Sequence, residues 1–177
     1  MATIYTHAVV GLALGRLGTR RPMPWSYWGL AALLPILPDL DVFSFAPYGA
    51  ALGHRGITHS LALALAVSVL AAGASFRYFR ANPWPLAGML LAILASHGLL
   101  DCFTRGGGNV PLFWPLDAWY GNWGPIPVSD IGFGLPDPQT SRAVRAELLW
   151  VWLPLEATVG VVALLRGGRR RPHEQTR

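Results

Sequence analysis

Residues 57–76 read ITHSLALALAVSVLAAGASF and residues 84–103 read WPLAGMLLAILASHGLLDCF, two apolar blocks of 20 residues each. At about 1.5 Å per residue, a helix of that length crosses a hydrocarbon core of about 30 Å. Helix is the predicted form, because lipid offers no partner to unpaired backbone groups. Three more apolar blocks flank these, at Ile4–Leu17, Trp25–Pro38 and Leu148–Leu165. The first two are shorter and would span only with local thinning of the bilayer, or with their ends in a polar pocket. The expected fold is therefore all-α, an integral membrane bundle of about five helices.

Composition agrees. The chain has 177 residues, 53% hydrophobic and 13% charged, where soluble domains carry about 25% charge. Mean hydropathy is +0.38. A disordered chain is excluded and an ordinary soluble globule is disfavoured. The length suits one domain, taken as residues 1–166, with a basic tail over 167–177. Cys102 is the lone cysteine, which excludes an intrachain disulfide and a Cys-based zinc site.

The net charge is +5, and all 14 basic residues are arginine. The basic residues sit beside apolar blocks, which favours lipid over nucleic acid as a partner. Ten arginines (16, 20, 21, 77, 80, 166, 169, 170, 171 and 177) follow blocks one, three and five, and four (55, 105, 142 and 145) fall on the other side. The positive-inside rule then puts the N-terminus outside and the C-terminus in the cytoplasm, as expected of a multi-pass inner-membrane protein. The first block lacks the preceding positive charge of a secretory signal peptide. Residues 104–147 make a long connection holding Trp114, Trp119, Tyr120 and Trp123. Such aromatics favour the membrane–water interface, so this segment is expected to form a cap or lid on the extracytoplasmic surface.

The titratable residues fall at the predicted outer ends of the blocks. They are His7, the pair Asp39 and Asp41 after Pro38, the run His54-Arg55-Gly56-Ile57-Thr58-His59-Ser60, and His97 with Asp101. Ionisable groups at a membrane are usually functional. Converging there unpaired, they would cost several kcal/mol, and a bound cation removes that cost by pairing carboxylates and accepting neutral imidazole nitrogens. His97 and Asp101, four residues apart, share a helix face. An extended stretch after Pro38 would point Asp39 and Asp41 the same way. Thr58 near a helix N-cap would leave His54 in the loop and His59 in the first turn. Competing roles are an Asp101–Arg105 pair at i+4, Asp39 as a helix cap, and Arg55 as a headgroup anchor.

These motifs, with Thr6-His7-Ala8-Val9-Val10-Gly11 and Leu37-Pro38-Asp39-Leu40-Asp41, resemble the inner-membrane metal-dependent hydrolase family of the LexA-regulated type. The resemblance covers residues 1 to about 105, and the HRGITHS run is its most specific part. More distantly, the order His, Asp, His, HxxxD is similar to the helical zinc-dependent phospholipase C and single-strand nuclease superfamily. That similarity implies metal ligands at His7, Asp39 or Asp41, His54 or His59, His97 and Asp101. The gap of 15 residues favours Asp39 with His54. Those superfamily chains begin with a ligating Trp and supply further histidines after HxxxD. Here the chain begins Met1-Ala2-Thr3 and the only later histidine is His173, so one or two divalent ions are expected, Zn²⁺ first and Mn²⁺ second.

The reaction expected is metal-dependent hydrolysis of a phosphoester in a lipid or other amphiphile by a metal-activated water. Whichever of Asp41 and Asp39 is not a ligand would act as general base. Arg55, with Arg105 as a second candidate, would hold the phosphate bidentately and stabilise charge in the transition state. The alternatives are a small transporter and a membrane protein that binds metal without catalysis.

Overall fold

The computed structural model describes residues 2–47, 49–105, 108–116, 121, 124, 126–127 and 138–168. It is an all-α bundle. Helix α1 (Ile4–Gly18) is followed by α2 (Trp25–Leu33), a 3₁₀ helix (Leu34–Ser44), a 3₁₀ turn (Ile57–His59), α3 (Leu61–Ser75) and α4 (Pro83–Cys102). After the long connection come α5 (Pro138–Glu147), a π turn (Leu148–Trp152) and α6 (Leu153–Gly168). A short parallel pairing joins Thr104–Arg105 to Ile126–Pro127.

Helix starts obey local chemistry. The Thr3 side chain caps α1 by accepting from the Thr6 amide, and Asn82 caps α4, with Pro83 following. Ser60 caps α3. Thr58, expected near that cap, instead bonds to Asp41, and His59 sits in the 3₁₀ turn before the helix.

Helix α1 packs against α2 and α4. Its buried face includes Gly11 and Gly15, a small-residue pair at the spacing that lets helices approach closely in lipid. A Cβ at Gly11 would overlap the Ala31 carbonyl oxygen. The Tyr27 hydroxyl crosses the same seam to the Gly15 carbonyl at 3.1 Å. α3 and α4 pair along their length, and Leu90 and Ile93 of α4 are fully buried at the centre.

Four expectations are corrected. Block two is not one continuous α-helix. It stays α only to Leu33 and then tightens to 3₁₀, where an α-helical path would press the Pro38 ring against the carbonyl four residues back. Asp39 and Asp41 therefore lie on a 3₁₀ helix and not on an extended stretch. Block three becomes helical only at Leu61 and ends at Ser75, so it is a short apolar helix of 15 residues. The segment 104–147 is not irregular throughout, since its last residues form α5 and continue through the π turn into an apolar helix, Ser141–Gly167, of 27 residues.

Among the described residues, two helices are long and apolar enough to cross a membrane, α4 and Ser141–Gly167. The first has about half of its apolar stretch buried within the bundle, the second none of it. Leu164, Trp84 and Leu70 are among the exposed large side chains, as suits a lipid-facing surface. Trp119, Tyr120 and Trp123 of the expected lid, and the tail from residue 169, lie outside the described residues.

Candidate metal centre

Four elements bring the predicted site residues together. His7 comes from the first turns of α1, Asp39 and Asp41 from the 3₁₀ helix, His59 from the 3₁₀ turn, and His97 and Asp101 from the end of α4. The approach depends on Gly98, where a Cβ would lie 2.6 Å from the His59 carbonyl oxygen. Only a glycine lets α4 lie that close to the turn bearing His59.

Asp39, His59, His97 and Asp101 are all buried and offer ligand atoms within 4.8 Å of one another. Asp39 Oδ1 is 3.6 Å from His59 Nε2 and 3.5 Å from His97 Nε2. Asp101 Oδ2 is 3.7 Å and 4.0 Å from the same two nitrogens. Hydrogen bonds of this type run about 2.7–3.2 Å, so these contacts are too long. They are close to the spacing of ligands on one ion, since tetrahedral bonds of roughly 2.0–2.1 Å place ligand atoms roughly 3.3 Å apart.

Hydrogen-bond bookkeeping makes the same case. His7 Nδ1 and Nε2, both Asp39 oxygens, His59 Nε2, His97 Nε2 and Asp101 Oδ2 are buried with no hydrogen-bond partner among the described residues. At about 1–3 kcal/mol for each such atom, the sum is on the order of 10 kcal/mol, comparable to the whole stability of a domain. A divalent cation satisfies this acceptor-rich set, which therefore fits a metal.

The imidazoles are oriented as ligands. His97 Nδ1 lies 2.7 Å from the Pro35 carbonyl. A carbonyl only accepts, so Nδ1 carries the proton and Nε2 turns its lone pair to the carboxylates. The Pro35 carbonyl is available because its 3₁₀ partner three residues on would be the amide of Pro38, which has no N–H. The Thr58 hydroxyl donates to Asp41 and lies 3.0 Å from His59 Nδ1. The hydroxyl proton being committed to Asp41, Nδ1 must donate to Thr58, and His59 Nε2 also presents a lone pair to the cluster.

Asp41 belongs to a second group with His54 and His59. Two steps along a 3₁₀ helix turn a side chain by about 240°, which sends Asp41 away from the Asp39 side. The 15-residue spacing misassigned the pairs: Asp39 faces His59, while Asp41 faces His54 at 2.7 Å. Burial alone would raise the Asp41 carboxyl, but His54, His59 and Thr58 facing it hold it well below the ordinary carboxylate range. The His54 side chain is 15% exposed and forms the open edge of this group.

His7 stands beside the cluster, stacked on His97 at 4.0 Å between ring centroids, with Nε2 3.7 Å from Asp101 Oδ1. The arginines differ from expectation. Arg55 is fully buried and is no headgroup anchor. Its NH2 group lies 3.4 Å from Asp101 Oδ2 and 3.3 Å from Thr104 Oγ1, and NH1 donates to the Gly108 carbonyl. With both ends engaged, it does not present a bidentate fork to a phosphate. Its backbone is left-handed at φ 62°, a sparsely populated region for a non-glycine residue that this packing sustains. Arg105 is exposed on its short strand. Among the described residues Asp101 pairs with Arg55 and not with Arg105.

The sequence reading missed the supporting atoms. Thr58 was visible only as a candidate cap, and the Pro35 carbonyl carries a signal only in the proline spacing. Glu147, fully buried at the end of α5, accepts from the Thr3 amide at 2.6 Å and from the hydroxyls of Thr3 and Thr6. Trp152 Nε1 donates to the Thr6 hydroxyl at 2.6 Å. These bonds fasten α5 and the π turn to the start of α1, one to four residues from His7.

Comparison with known proteins places the chain. It is 35% identical over 168 residues to the inner membrane protein YbcI of Escherichia coli K12, covering 92% of this chain and 97% of that one. It is 36% identical over 106 residues to the inner membrane proteins YdjM of Escherichia coli K12 and Shigella flexneri, covering 51% of this chain and 50% of each. The aligned part thus spans about half the length of the YdjM proteins. No solved structure matches. The family described as YdjM inner membrane protein matches residues 1–167, and the chain belongs to that family.

Proposed function

We propose that this protein is a multi-pass membrane-embedded hydrolase that uses a divalent metal, Zn²⁺ first and Mn²⁺ second, on a phosphoester of a lipid or similar amphiphile. The observation that carries the reading is the buried set of partnerless imidazole and carboxylate atoms around Asp39, His59, His97 and Asp101. Those four residues would hold the ion, with His7 beside them. A bound divalent ion would supply Lewis acidity and bring the pKa of a water molecule toward about 7.

The chain's own groups have separate roles in this proposal. Asp41, kept ionised, orients His54, and the pair at the open edge would accept the proton of the attacking water. Arg55 balances the charge of Asp101 and fixes its orientation, as a positioning residue. Arg105, exposed beside Thr104, would meet the substrate phosphate. The site would open on the extracytoplasmic side, at headgroup level, in keeping with the arginine asymmetry. The similarity in motif order to the zinc-dependent phospholipase C and nuclease superfamily belongs to this proposal and supports the phosphoester class.

A second reading rests on burial. Four buried protein ligands match a closed structural metal site, whereas catalytic sites keep an open position. The deciding experiment measures metal content of the purified protein and screens phospholipid and phosphodiester substrates with metal-loaded wild type and His54→Ala. Turnover that requires metal and His54 supports hydrolysis. A tightly bound ion with no turnover supports the structural reading, and a metal-free protein with a normal fold rejects both. For topology, Leu40→Cys should react with an impermeant thiol reagent from outside the cell, and labelling only from the cytoplasm would reverse the orientation.

A further inference from the structure

At the end of the bundle remote from the metal centre lies a second polar feature that the hydrolase reading does not use. A cavity of about 730 Å³ opens between the end of α1, the α1–α2 connection and the end of α6. Arg16, Arg20, Arg21 and Arg166 line it, and none of its described lining residues is acidic. Apart from Thr19, its other lining side chains are apolar, Trp28 and Val159 among them. A smaller cavity of about 410 Å³ next to it shares Arg20 and Arg21 and adds Arg80.

Two of these guanidiniums are already ordered. Arg166 donates to the Leu17 carbonyl at 2.7 Å, and Arg21 donates to the Phe79 carbonyl. Arg16 and Arg20 are exposed. Guanidinium groups gathered without a carboxylate repel one another and favour an anion, and their fork matches phosphate oxygens. The apolar walls answer a different chemistry. A soluble phosphate gains nothing from Trp28 and Val159, whereas the acyl chains of a lipid would lie along them. The cavity also adjoins the outward-facing apolar helix Ser141–Gly167, none of whose apolar stretch is buried.

We propose that this cavity binds the headgroup phosphate of an anionic phospholipid, with its acyl chains along α6. The site is independent of the metal centre and of any hydrolytic activity. It is tested on full-length protein in dodecyl maltoside by following the thermal unfolding midpoint during titration with phosphatidylglycerol, phosphatidylcholine or inorganic phosphate. Phosphatidylglycerol should raise the midpoint saturably, and the other two should not. Arg16→Gln with Arg20→Gln should raise the half-saturating lipid concentration roughly fivefold for each arginine removed, with metal content unchanged. Arg20→Gln alone provides the same readout if the double variant folds poorly. Arg142→Gln with Arg145→Gln, exposed on α5, is the control for general charge. An equal rise with phosphatidylcholine or with inorganic phosphate overturns the proposal. So does an undiminished response in the cavity variants, or an equal loss in the control.

Discussion

At the end of α4, His97 and Asp101 turn into a buried cluster in which several polar atoms, among them His97 Nε2 and Asp101 Oδ2, have no hydrogen-bond partner among the described residues. Near the start of the same helix, Arg80 borders a cavity shared with Arg20 and Arg21. One end of the bundle is acceptor-rich, buried and built from short side chains on 3₁₀ segments and the ends of α1 and α4. The other is donor-rich, open and built from long side chains on helix C-termini, where the helix dipole favours cations. Both ends concentrate polar groups next to apolar helices, yet their chemistry is complementary to opposite ions. Polar residues at the ends of membrane helices therefore do not speak with one meaning, and burial together with hydrogen-bond satisfaction separates a binding site from an interfacial anchor.

That contrast predicts which variants should affect which end. The largest effect is expected at Asp101. Asp101→Ala should empty the metal site and destabilise the fold by about 3–5 kcal/mol, because Arg55 is left as an unpaired buried charge. His97→Ala should also lose the metal but without that charge penalty, and metal analysis alongside thermal unfolding separates the two. If Asp101→Ala keeps a full complement of metal, the cluster is not the site. Removing metal from wild type with a chelator should lower stability by about 2.7 kcal/mol relative to metal at a hundredfold excess over Kd, while leaving the phosphatidylglycerol response intact.

Gly98→Ala should cost about 1–3 kcal/mol by pressing a methyl group against the His59 carbonyl. Metal affinity should fall with it, as read by competition with a fluorescent chelator. Thr58→Val has a subtler consequence. The ligands stay, but the contact that fixes the His59 tautomer goes, so affinity should drop roughly 10–100-fold with stoichiometry preserved. Equal affinity in Thr58→Val would show that the relay to Asp41 is idle. The smallest expected effect is on pH dependence. Burial lowers the His59 imidazole, but Asp39 and Asp41 beside it outweigh that and raise it to about 9; its proton competes with the metal, so affinity should climb as the pH rises toward about 9.

Much of this was legible in the sequence. Apolar block length announced α4 and the last helix, and the placement of His7, the two aspartates, the HRGITHS run and the HxxxD pair at block ends announced the cluster. What stayed hidden was local backbone geometry. The choice between Asp39 and Asp41 depends on a 3₁₀ rotation imposed by two prolines, which residue spacing alone does not reveal. The engagement of Arg55 depends on a left-handed backbone angle and on the Gly108 carbonyl, neither of which has a side-chain signature. Glu147 was hidden by the assumption that the fifth helix begins where its apolar block begins.

The last helix touches the bundle through polar fastenings near its two ends. Glu147 holds the hydroxyls of Thr3 and Thr6, and Arg166 holds the carbonyls of Leu17 and Thr19. The 19 residues from one fastening to the other measure roughly 28 Å along a helix, nearly the depth of the hydrocarbon. The separation of the two attachments thus matches bilayer thickness, like the jaws of a caliper. A membrane much thicker or thinner would load these bonds before it disturbed the core, and would do so at the same threonines that lead into His7.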